Sequence, residues 1–198
     1  MSRNYQLMRE IEQKQALLSN CSIGAALTVG KSSSRGLPRP LASDLMAGLV
    51  QRVFLQPQHK PPRLVVFAAV DHGNGCSQIA ASVARTLTAS VPGAVCLVEA
   101  NFRSPALPRM LGTTNYQGLT DALLQQGSIR SFMKPMGNGC LWLLSSGPVA
   151  ADSPSLLAAE RVRARFAELR LMALWLGLGA VSVAGRGELA PALKGALG

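Results

Sequence analysis

The sequence is poor in several things that specialised proteins need. Among 198 residues there are ten acids, two histidines and two tyrosines, and aromatic residues make up 5%. Four cysteines, Cys21, Cys76, Cys96 and Cys140, form no CxxC pair and have no histidine at a zinc-ligand spacing. A disulfide frame and a zinc site are therefore not expected, and reduced thiols are. No apolar run reaches the ~18 residues of a spanning helix. The N-terminal MSRNYQLMREIEQKQ is polar and of mixed charge, which excludes a secretory signal from expectation. Lysine is scarce too, since 15 of the 20 cations are arginine.

What is present suits a folded domain. The chain is 48% hydrophobic and 15% charged, with a formal charge of +10. This apolar content is too high for a disordered chain. The cations are scattered, with no basic run, and no DNA-reading motif is found. A basic surface follows, and nucleic acid is not expected as the partner.

Residues 1–18 carry a helical pattern with Met8, Ile11 and Leu18 near one face. Residues 19–41 are rich in Ser, Gly and Pro and are expected to be a linker. The expected division is thus 1–41 as helix and linker, with 42–198 as one α/β domain. Ser43 to Leu55 regains a helical pattern through Leu45, Met46, Leu49, Val50 and Val53, until Pro57, Pro61 and Pro62 break it.

From Leu64 strands and helices alternate. LVVFAAV (64–70), AVCLVEA (94–100) and CLWLLSS (140–146) are short, nearly uninterrupted apolar runs. Such runs suit strands covered on both faces of a parallel sheet. Residues 77–89 fit a helix with Ile79, Val83 and Leu87 on one side, and 118–126 a shorter one. Residues 153–170 open with Ser153 as N-cap and Pro154 at the first helical position. The order predicts a three-layer α/β fold.

The chemically pointed feature is the glycine loop HGNGCS (72–77) between strand and helix. Backbone N–H groups and a helix N-terminus at such a loop hold phosphate. The pattern G-x-x-x-x-G-K-[ST] is incomplete here. Val70 stands for the first glycine and Cys76 for the lysine, while Gly75 and Ser77 are kept. Asp71 opposes a phosphate, and His72 is expected to face solvent.

Four segments in order resemble the bacterial tyrosine kinases of capsule and exopolysaccharide synthesis, which are related to the ParA and MinD ATPases. HGNGCS stands where that family has a loop like PGEGKS. CLVEANFRSP (96–105) is similar to LLIDADLRRP. LPRMLGTTNYQGLTDAL (107–123) resembles LHRLFGLPNEPGLSDVL. LSSGPVAADSPSLLAAERVRARFAELR (144–170) resembles LPAGPIPPNPSELLASERMRELLEELR. The resemblance spans about 62–170, and 171–198 diverges.

The resemblance implies a P-loop, Rossmann-like sheet, incomplete at the C-terminus, that binds ATP with Mg2+. It implies Gly73, Asn74, Gly75, Cys76, Ser77 and Arg103 at the phosphates and Ser77 and Glu99 at the metal. Glu99 and Asn101 take the places of two catalytic aspartates, so a carboxylate is kept once and lost once. The family's third acidic motif, YDYVIIDTPP, has no counterpart, for no acid lies between Glu168 and Glu188. A shifted frame or a truncated gene is one expected cause. The implied partner is a membrane-embedded polysaccharide co-polymerase or chain-length regulator. A homo-oligomer and a cytoplasmic site at the inner face of the membrane are implied with it. Kinase activity is expected to be weak or lost, with an active kinase or a ParA-like nucleic-acid-binding ATPase as the alternatives.

Overall fold

The computed structural model describes residues 39–56, 62, 64–69, 74–91, 93–137, 139–148, 159–176 and 179–184. The helix expected over 1–18, the linker from 19 to 38, Arg63, His59, and Val70 to Gly73 lie outside them.

The elements run in order as α1 (Arg39–Val50) with a wide turn (Gln51–Leu55), β1 (Leu64–Ala68), α2 (Cys76–Ser90) and β2 (Val95–Ala100). Next come α3 (Leu107–Met110), α4 (Leu119–Leu124), a 3-10 turn (Ile129–Phe132), β3 (Lys134–Met136) and β4 (Leu141–Leu144). The series ends with α5 (Ala159–Leu176) and β5 (Gly179–Ala184). The sheet has the order β1-β5-β2-β4-β3. Its pairs are parallel except β3 with β4. Three of the strands fall where uninterrupted apolar runs place them. All six residues of β2 are buried, as a strand covered on both faces must be.

Alternation along β2 separates two cores. Cys96, Val98 and Ala100 join Leu119, Leu123, Ile129, Val162, Phe166 and Leu169 beneath α4 and α5. Val95 and Leu97 join Val50, Phe54, Val83, Ala84 and Leu87 beneath α1 and α2. Helices on both faces of a mainly parallel sheet make the three layers that the sequence predicts.

Some local expectations are corrected. On α2 the inward stripe is Ala80, Val83, Ala84 and Leu87, while Ile79 is exposed. The cause is the packing of α1 against α2, which covers a face of small residues. α1 begins at Arg39, four residues before Ser43, and buries Val50 while Leu45 is exposed; the wide turn after it buries Phe54. The apolar stretch 171–184 divides. Its first part prolongs α5 and its second is β5, an interior strand between β1 and β2. Cys76 and Cys96 are free thiols, but Cys140 is disulfide-bonded, against the expectation of reduced cysteines. Among the described residues no helix is long and apolar enough to cross a membrane.

Candidate phosphate-loop site

In a parallel sheet, loops leaving the C-terminal ends of the strands share one edge, where ligands of such folds bind. Three of the recognised segments converge there. Gly75 precedes α2 with φ 70, a left-handed conformation that favours glycine. It is the N-cap of a 15-residue helix and offers no side-chain cap, so the free N–H groups of the first turn stay available. Its carbonyl accepts from Ile79 N–H at 2.9 Å, the first intrahelical bond. Asn74 is exposed, and Cys76 and Ser77 are half-buried in the first turn.

Cys76 cannot serve as the missing cation. Its side chain packs against the core beneath α1 and α2. Burial pushes the thiol pKa up, and the nearby Glu99 carboxylate pushes it further. The lowering that a helix N-terminus alone would give is outweighed, so the thiol stays neutral. Cys96, wholly buried on β2, is pushed up to about 12 by burial, against a backbone hydrogen bond at Leu144.

Glu99 is fully buried at the end of β2. Its Oε2 accepts from Ala106 N–H and Leu107 N–H, both at 2.9 Å, and its Oε1 from Asn101 N–H at 3.3 Å. The carboxyl therefore caps α3, whose first N–H groups have no partners within the helix. Burial raises its pKa, while the three backbone donors pull the other way. Asn101 is also engaged. Its Nδ2 donates to Ser104 O at 3.0 Å and its Oδ1 accepts from Ser104 N–H at 3.2 Å. Arg103 is exposed in the same turn.

These groups suit a phosphate through the backbone and the helix N-terminus. They suit a divalent ion poorly. Among the described residues the ion would find one hydroxyl, Ser77, and one carboxyl, Glu99, that is raised toward its neutral form and shared by three N–H donors. β5 reads GAVSVA and adds no acid. Among the described residues no group of three His, Cys, Asp or Glu side chains gathers at one place.

Beside this corner lies a denser polar cluster that sequence reasoning did not anticipate. Asn115 bonds Gly147 twice, donating to its carbonyl at 2.8 Å and accepting from its N–H at 3.0 Å. Ser145 Oγ donates to Gln117 O at 2.7 Å, and Thr120 Oγ1 to Ser146 O at 2.8 Å. Leu119 and Thr120 N–H donate to the carbonyls of Ser145 and Ser146. Arg165 of α5 donates to the carbonyls of Ala122, Gln125 and Gly127 at 2.6 to 2.7 Å and pairs with Glu168 at 2.8 Å. Glu168 accepts in turn from Ile129 N–H at 2.8 Å.

No family model matches the chain. Solved structures do. The chimerical protein CapA2B2 superposes with a TM-score of 0.65 at 17% identity, over 91% of this chain and 79% of that one. The kinase domain of the Escherichia coli tyrosine kinase ETK gives 0.68 at 13% identity, over 86% and 69%. A ParA family ATPase from Chlorobium tepidum gives 0.50 at 22% identity, over 63% and 52%. The fold is therefore the α/β P-loop fold of these kinase domains and ParA-type ATPases, as the four sequence segments lead one to expect.

Proposed function

We propose that the chain is a member of the capsule and exopolysaccharide tyrosine-kinase family that holds nucleotide weakly, transfers phosphate feebly or not at all, and acts as a regulatory partner in polysaccharide synthesis and export. One observation supports this above the others. A strand, a left-handed glycine and a long helix build the phosphate loop, yet a neutral thiol stands where the lysine belongs.

Gly73, Asn74, Gly75, Cys76 and Ser77 are the groups we assign to the phosphates, with Arg103 as the nearby cation. The resemblance would put Ser77 and Glu99 at magnesium and Glu99 with Asn101 at the reacting hydroxyl, but Glu99 is held by three backbone donors and Asn101 by Ser104, so in this reading they serve an ion and a transfer poorly. When bound, Mg-ATP would supply the phosphoryl group. The chain's own part is to hold the phosphates by backbone N–H groups. Phosphoryl transfer depends on positioning and on stabilising charge, and one lost contact of this kind costs about 10²–10³-fold in rate. Lysine, one aspartate and the third acid are lost together here. The partner in this reading is a membrane-embedded polysaccharide co-polymerase at the inner face of the membrane, which the four-segment resemblance supports.

Calorimetry with Mg-ATP and Mg-ADP tests it, on the natural chain and on Cys76→Lys. The expected result is little or no binding by the natural chain and recovery by Cys76→Lys. Micromolar binding by the natural chain would favour an active kinase with an unusual loop. Absence of binding by both would remove nucleotide from the function.

A further inference from the structure

The sequence resemblance implies magnesium at Glu99, but the structure gives that carboxyl another task. Its exposure to solvent is 0%. Oε2 accepts from the N–H groups of both Ala106 and Leu107, which takes up both lone-pair directions of that oxygen. Oε1 accepts from Asn101 N–H. Magnesium keeps several waters and demands near-ideal octahedral geometry. A carboxyl without surface in contact with solvent leaves no room beside it for an ion and its waters. Asn101 offers no substitute, because both ends of its amide close on Ser104. Five hydrogen bonds thus close the turn from Glu99 to Leu107 on itself.

The phosphate loop is open where that turn is closed. The bond from Ile79 N–H to Gly75 O is the first of α2, so the N–H groups of Cys76, Ser77 and Gln78 have no partner within the helix. Gly75 adds no side-chain cap, and a Cβ built on it meets nothing within 4 Å. The helix N-terminus therefore looks onto free space. The Glu99 carboxyl is near enough to Cys76 to act on its thiol, so closed turn and open loop are neighbours.

We propose that the loop takes its phosphate ligand as the free anion, without magnesium, and that Glu99 serves as the cap of α3 and not as a ligand of the ion. This rests on the assignment of the loop to phosphates and names the form of the ligand, a nucleoside polyphosphate stripped of its divalent cation. Two effects rank the two forms, and both point the same way. Magnesium cancels part of the phosphate charge, which weakens the attraction to a helix N-terminus and to a chain of net charge +10. The ion also gains Glu99 only if the carboxyl leaves Ala106 and Leu107, whose N–H groups would then lack an acceptor.

Calorimetry on the full chain tests this with ADP in excess EDTA and with ADP in excess magnesium, at equal ionic strength. ADP in EDTA should bind on the order of tenfold more tightly, about the worth of one charge-assisted hydrogen bond. Hydrogen exchange at Ala106 and Leu107 gives a second readout, without nucleotide. Millimolar magnesium should leave it unchanged. Equal or tighter binding of Mg-ADP overturns the proposal. So does faster exchange at Ala106 and Leu107 on adding magnesium, because Glu99 would then have left its donors for the ion. Binding of neither form overturns it as well. That last result leaves the proposed function standing, which expects little or no binding by the natural chain and recovery by Cys76→Lys. Micromolar binding of Mg-ADP counts against the proposed function whichever form binds more tightly, so the two failures are told apart.

Discussion

Two corners of the same sheet edge are built on opposite principles. Around Asn115, Gly118, Ser145 and Arg165, polar groups of loop and helix are paired with one another at short distance. Around Gly75 and Cys76 the helix N-terminus keeps its donors uncapped, and the side chains there add a neutral thiol instead of a cation. The first corner spends its polar atoms on the fold. The second leaves the N–H groups of its first helical turn without a side-chain cap and sets a neutral thiol beside them. Glu99, near Cys76, is bonded as a structural residue is, its carboxyl accepting from the N–H groups of Asn101, Ala106 and Leu107. The two corners should therefore answer substitution differently.

The largest effect is expected at Gly118. Its φ of −178 is open to any residue, so conformation is not the constraint. Space is. A Cβ there would meet the backbone of Ser145, with its carbonyl carbon at 2.6 Å and the N–H nitrogen of Gly147 at 2.5 Å. Backbone cannot swing away as a side-chain end does. Gly118→Ala should cost about 3 kcal/mol or more in denaturant unfolding. Gly75→Ala is the contrast. Nothing lies within 4 Å of its Cβ, and only the left-handed φ of 70 resists. Its cost should be roughly 1–2 kcal/mol. Equal costs would break the distinction between a packed corner and an open one.

Arg165 comes next. Arg165→Ala removes three carbonyl contacts and the Glu168 pair, and should destabilise by about 2–3 kcal/mol. Arg163, exposed on the same helix, is the control, and Arg163→Ala should change stability by no more than about 0.5 kcal/mol. Hydrogen exchange in α4 and the 3-10 turn should rise for Arg165→Ala alone. Unchanged exchange there would mean that α4 is held by the apolar contacts of Leu119 and Leu123 rather than by arginine.

Much of this was legible beforehand, for stated reasons. Strands buried on both faces read as unbroken apolar runs, which located β1, β2 and β4. The glycine kept in the loop before α2, Gly75, takes a left-handed backbone that side chains disfavour. Order along the chain placed the recognised segments at one edge of the sheet. Other features were not legible because they rest on distant neighbours. β3 is three residues containing a lysine and a proline, and it pairs only because β4 lies beside it. Ile79 faces outward because α1 covers a different stripe of α2. The role of Arg165 depends on carbonyls some forty residues earlier in the chain. Within 171–184 the change from α5 to β5 falls at Gly177 and Gly179, a glycine stop signal that the sequence reading left unused. The engagement of Glu99 could not be read. Its donors, Ala106 and Leu107, come from a turn whose shape the sequence leaves open.

The subtlest expected effect lies at Glu99, near Cys76. Its native pKa is raised above the ordinary 4.5, with burial the leading cause. The native state therefore keeps its proton to higher pH than the unfolded chain does. By linkage, this group's favourable contribution is complete below the unfolded pKa and is lost as pH rises through the raised native pKa. Glu99→Gln keeps the shape and removes the titration, so it should flatten that part of the stability profile. Glu99→Ala should also flatten it, and cost about 1–3 kcal/mol besides, because Ala106 and Leu107 N–H lose their acceptor. Denaturant melts from pH 4 to pH 8 would measure both. The same melts with added magnesium sharpen the comparison. An ion held by Glu99 favours the carboxylate and would lower its pKa, so stability at high pH would recover in the natural chain and not in Glu99→Gln. No recovery would mean that the backbone of α3 has taken the carboxyl for itself.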